Sequence, residues 1–125
     1  MGTWGSGNFE SDTARDYLSS FMDRLVAEVA EVMDGDPVAI EPDEYWGVAI
    51  PCQLELLQVL TRAGHSSDTP LRPEVVERWK EHFMAVWERT IDDLGPAPGY
   101  KEQRRAVLIR TFDQLADAAA AGHAA

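Results

Sequence analysis

Cysteine occurs once in these 125 residues, at Cys52, and histidine only three times. One thiol can neither close an internal disulfide nor build a thiolate zinc site, so a reducing compartment, the cytoplasm, is expected. His65, His82 and His123 fall in no His-Glu-x-x-His or Glu-x-x-His arrangement, which excludes the helical zinc-protease and di-iron patterns. Long apolar runs are missing as well. The longest charge-free stretch, Tyr45 to Leu54, contains Gly47 and Pro51 and falls far short of the ~20 residues of a membrane span. No basic patch followed by an apolar run opens the chain, so neither secretion nor membrane insertion is expected. Positive charge is scarce: 11 basic side chains face 22 acidic ones, a net of −11.

The imbalance is uneven. Up to residue 60 the only basic residues are Arg15 and Arg24, against 12 acidic ones. Direct nucleic-acid binding is therefore not expected, because phosphate contacts and counterion release require Lys and Arg. A basic protein partner or a cation is the electrostatic complement, and simple solubility accounts for part of the charge. A nucleic-acid mimic would need the carboxylates strung along one surface; the asymmetry permits that without requiring it.

With 45% apolar and 26% charged residues, the chain has the composition of a globular domain, and its length suits one core. Apolar residues recur at helical spacing in four segments, so the sequence reads as all-α, a single domain resembling a four-helix bundle with helices at about 12–33, 42–62, 73–94 and 100–120. Ser11 or Asp12 caps the first, and Gly35 with Pro37 closes it. Pro42 suits the first turn of the second, and Pro51 inside it predicts a kink beside Gly47 or a break into two short helices. Gly95-Pro96 ends the third, whose stripe carries Trp79, Phe83 and Trp87. The alanine-rich tail, 119–125, is expected to fray. Pro37 to Ile40 reads as a short extended piece, and no repeat of fixed period occurs.

The segment Met1-Gly2-Thr3-Trp4-Gly5-Ser6-Gly7-Asn8-Phe9 sets two aromatics among glycines. A flexible leader has no use for such rings, so residues 1–11 are expected to form an ordered plug that closes the end of the bundle. On that reading Trp4→Ala costs roughly 3 kcal/mol. No strand precedes Gly5-Ser6-Gly7 and no lysine follows it, so it is a poor phosphate loop.

Glu10, Asp12 and Asp16 make the densest acidic helix start, and Glu41, Asp43 and Glu44 repeat the pattern before Trp46. Such oxygens could hold a divalent cation, although carboxylates in a first helical turn already serve the helix dipole and the cap. No catalytic residue, cofactor site or metal site is assigned on these grounds. Trp4, Glu10, Asp12, Asp16, Glu41, Asp43, Glu44 and Trp46 are the neighbourhood in which a site is sought. Cys52 reads as a core thiol and His82 as a surface residue. Arg104 and Arg105, cations near the start of the fourth helix, call for carboxylate partners from the first or second helix.

The opening Met1-Gly2-Thr3-Trp4-Gly5-Ser6-Gly7-Asn8-Phe9, followed by Asp12, Ala14 and Asp16, resembles a domain-of-unknown-function family of small, mostly bacterial proteins, family 4259. Pro51 and Cys52 depart from the alanine-rich second helix of similar sequences. The resemblance implies a stand-alone bacterial cytoplasmic protein and no mechanism. Function thus remains unknown, with three readings open. One is a small acidic interaction module, immunity- or antitoxin-like, that holds a basic partner through an aromatic anchor. The others are a carboxylate-based metal-binding protein or hydrolase, and a nucleic-acid mimic.

Overall fold

Four helices and two short 3-10 turns make up the computed structural model, which describes residues 2–124. Helix α1 spans Asp12–Met33, and the Ser11 hydroxyl caps it by accepting the backbone N–H of Ala14 at 3.2 Å. Leu18, Met22, Val29 and Met33 recur every three to four residues along it and turn inward, as the spacing predicts. Pro37–Ile40 is not extended. It is a 3-10 turn capped by the carboxylate of Asp36, which accepts from the N–H of Val38, and it delivers Ile40 to the core.

Helix α2, Tyr45–Arg62, starts three residues later than its proline suggests. Glu44 N–H donates to the carbonyl of Glu41, a turn that holds Glu41, Pro42 and Asp43 outside the helix. The helix can begin so close to this turn because residue 47 is glycine: a β-carbon there would occupy the space taken by the Glu41 carbonyl. Gly47 therefore serves close packing at the helix start. The helix runs unbroken through Pro51, which is buried. One hydrogen bond is lost there, and burial of Ile50, Leu54 and Leu57 on the same face outweighs it.

Helix α3, Pro73–Thr90, continues as a 3-10 turn, Ile91–Leu94, so the third element covers the expected length but tightens at its end before the left-handed Gly95. Helix α4 spans Tyr100–Ala124. Ala118 and Ala119 are buried, and their small side chains let the helix lie close to its neighbours there, while Ala120 to Gly122 are helical but exposed. The frayed-tail expectation for Ala125 and the plug expectation for Met1 lie outside the described residues.

Three side-chain links, with Leu18 of α1 beside Ala63 at the end of α2, fix the helix directions. Gln53 of α2 donates to Glu28 of α1 at 2.5 Å, Lys80 of α3 to Asp113 of α4 at 2.7 Å, and Arg105 of α4 to Glu88 of α3 at 2.6 Å. The bundle is thus two antiparallel hairpins, α1–α2 and α3–α4. They lie side by side with α2 against α4, and α1 makes a lesser contact with α3. Lining residues shared by α2 and α4 advance together, Val48 with Arg104 and Thr61 with Ala119, so this central pair is parallel. The long connection from Ala63 to Arg72 must consequently recross the bundle end. Ser19 on α1 ties it down by donating to the carbonyl of Ser66 at 2.6 Å, and Asp23 accepts from the N–H of Thr69. The core is filled by Trp87, Phe83, Phe112, Ile50 and Leu54, with the two phenyl rings 5.6 Å apart.

Candidate surface at the N-terminal loop

Residues 2 to 11 form a closed loop on the bundle end. A β-bridge pairs Thr3 with Ser11, Trp4 N–H donates to Glu10 carbonyl at 3.0 Å, and Asp12 N–H donates to Gly2 carbonyl at 2.5 Å. Inside the loop Glu10 N–H donates to Gly7 carbonyl, and the Glu10 side chain folds across Gly5 and Gly7. A β-carbon at either glycine would displace that carboxylate, a flexible group that can swing aside.

The loop is ordered, but it is not a buried plug. Trp4 is 54% exposed and Phe9 46%. Their rings are held from the side: the Trp4 indole N–H donates to Asp12 Oδ1 at 3.1 Å, the Arg15 guanidinium sits 5.7 Å from its centroid, and Phe9 tilts against His65 at 5.3 Å. Hydrogen bonding to the first turn of α1 competes with insertion, since an indole donor needs a partner wherever it lies. A cleft of about 500 Å³ opens between these rings, Arg15, Leu18 and His65. A smaller apolar hollow of about 250 Å³, bounded by Met22, Leu57, Leu71 and Leu115, adjoins it through His65 and Ser66.

Trp4, Glu10 and Asp12 are brought together, with Asp16 exposed one turn further along α1. Glu41, Asp43, Glu44 and Trp46 are not part of this group. They lie at the start of α2, whereas the loop meets its end at Ala63 and Gly64, so a helix length of about 27 Å separates them. Asp43 and Glu44 are exposed, and Trp46 is half-buried, edge-on to Tyr45 at 4.9 Å. Among the described residues no three His, Cys, Asp or Glu side chains gather within reach of one metal ion. Asp12 spends one oxygen on Trp4, and Glu10 lies over the loop backbone.

Two residues of the cleft, Arg15 and His65, carried no sequence signal, because their role depends on α1 and the 63–72 connection meeting the loop. Cys52 is exposed on the outer face of α2, not in the core, and His82 is half-buried. Arg105 finds its carboxylate on α3, not on α1 or α2. It grips Glu88 through two nitrogens, at 2.6 and 3.0 Å, and lies 5.5 Å from the Trp87 ring centroid. That hydrogen bond holds the Glu88 carboxyl below its ordinary range, and the bond to Asp113 likewise raises the Lys80 ammonium. Arg104 lines a separate recess with Pro42, Val48 and Tyr100.

No described helix is long and apolar enough to cross a membrane. Fold and surface together define a small acidic all-α protein of two packed hairpins with an ordered, exposed aromatic loop at one end. The chain belongs to the family described as Domain of unknown function (DUF4259), whose model matches residues 2–122. No curated protein and no solved structure matches it. The family carries no assigned activity, and the function of the chain is accordingly unknown.

Proposed function

We propose that the chain is a small acidic protein-interaction module, immunity- or antitoxin-like, that engages a basic partner in a reducing cytoplasm. One observation carries this reading: Trp4 and Phe9 are half exposed, yet the loop bearing them is fixed by backbone and side-chain hydrogen bonds. Pre-ordered aromatic rings beside a cleft lose little conformational freedom on binding, which is the property of an interface anchor. Asp12 and Asp16 border them, and the negative field of the N-terminal half steers a cationic surface toward them.

The test is affinity capture with the wild type and with Trp4→Ala/Phe9→Ala as baits, at low and high salt. The reading expects a basic protein that is held at low salt, released as salt rises, and lost with the doubly substituted bait while its helical signal is unchanged. Equal capture by both baits, or none by the wild type, would overturn it.

A further inference from the structure

Helix α2 is apolar on two opposite faces. Its inner face carries Ile50, Leu54 and Leu57 into the core. Its outer face presents Tyr45, Ala49, Cys52, Leu56 and Val59, spaced 4-3-4-3, with Val48 beside them, and the C-cap residue Ala63 continues the spacing by four. Tyr45, Val48, Leu56 and Val59 are each between 49 and 73% exposed. No charged side chain falls within this stripe in a chain of net charge −11; Glu55 and Arg62 stand only on its flank. Alternation of three and four residues is the signature of a helix seam that packs against another helix.

We propose that this stripe is the contact of a weak homodimer, with α2 of a second copy running antiparallel across it. The order of side-chain sizes selects that occupant. A two-fold axis at the level of residue 54 sets Tyr45 against Ala63, Val59 against Ala49, and Leu56 against Cys52 of the second copy. Every layer then joins a large side chain to a small one, and the same layers recur on the other side of the axis, as an isologous interface requires. A parallel pair would instead stack Tyr45 on Tyr45 and Ala49 on Ala49, leaving alternate bulges and gaps. The four large residues expose on the order of 400–500 Å². Two copies therefore bury on the order of 1,000 Å², the lower limit for specific association, so a micromolar dimer follows. An anionic lipid surface is a poor occupant, because Arg62 is the only cation on α2 and Arg104, in the recess beside Val48, adds just one more in a chain of net charge −11.

Self-association also has a salt response opposite to that of the basic partner. Each copy carries −11, so added NaCl should tighten the dimer while it releases a basic protein. The two proposals therefore fail separately.

Sedimentation equilibrium of the full chain from about 5 to 500 µM, with and without added NaCl, is the first measurement. A concentration-dependent dimer that tightens with salt is expected. Leu56→Arg should raise its dissociation constant at least about 30-fold, with unchanged circular dichroism, since the residue is exposed in the monomer. Register is read by mild oxidation in a Cys52→Ser background. Ala49→Cys with Val59→Cys should give a covalent dimer, whereas either substitution alone should not, because like positions then lie about 15 Å apart along the helices. A monomer throughout the concentration range, a dimer indifferent to Leu56→Arg, or rapid cross-linking by a single substitution would overturn the proposal.

Discussion

At the scale of single residues, the two most instructive positions are a tryptophan and a glycine. Trp4 is large and exposed, held by Asp12 and Arg15 on one helical turn. Its removal forfeits one hydrogen bond and a cation–π contact, about 1 kcal/mol, not the roughly 3 kcal/mol of a core aromatic. Gly47 has no side chain and is buried against the Glu41 carbonyl. Gly47→Ala forces backbone against backbone, where no flexible group can move aside, and should cost about 3 kcal/mol. Urea melts of the two variants decide the matter: Gly47→Ala should lose far more stability than Trp4→Ala, and the reverse order would mean that the loop, not the α2 start, bears the strain. Sequence alone showed neither role. An indole beside glycines reads as a plug until the Asp12 acceptor is placed, and the close packing of Gly47 is invisible until the turn at Glu41 is seen to pass over it.

At the scale of elements, helical periodicity left little ambiguity. α1 has the span its caps and apolar spacing imply, and α3 with its 3-10 extension covers the length marked by Pro73 and Gly95. Pairing between elements was less legible, because spacing along one helix says nothing of which helix it faces. The Arg105 partner shows this: Glu88 is reached only because α3 and α4 form a hairpin. That link makes the hairpin pH-sensitive. Arg105 holds the Glu88 carboxyl below its usual 4.5, so the stability this group adds is present above pH 4.5 and drains away as the pH falls further. Both side chains are substantially solvated, so screening keeps the effect small. Glu88→Gln should lower the melting midpoint by about 2 °C at pH 7, with the gap to wild type narrowing as the pH falls below 4.5. A gap that stayed constant across this range would show that the carboxylate charge contributes nothing to the hairpin.

For the whole molecule, the dominant physical fact is the charge of −11, nearly all of it carried by the first 60 residues. Folding gathers α1, the Pro37–Ile40 turn and the start of α2 onto one hairpin, so like charges dispersed in the unfolded chain are drawn together. Three of the four ion pairs among the described residues join α3 or its 3-10 extension to α4, and the remaining one, Arg72–Glu74, sits at the start of α3. The first hairpin thus has almost nothing to offset its repulsion beyond apolar burial. Screening should help it: raising NaCl from about 20 to 500 mM shortens the Debye length from roughly 20 Å to 4 Å and should add about 1 kcal/mol to the unfolding free energy. The same titration separates diffuse repulsion from ion binding. At matched ionic strength, Mg²⁺ and Ca²⁺ should stabilise no more than Na⁺ if the carboxylates act only as a distributed field. An added increment from a divalent ion that vanished in Asp12→Asn would instead place a cation at the start of α1, and would shift the functional reading from the aromatic loop to the acidic turn beneath it.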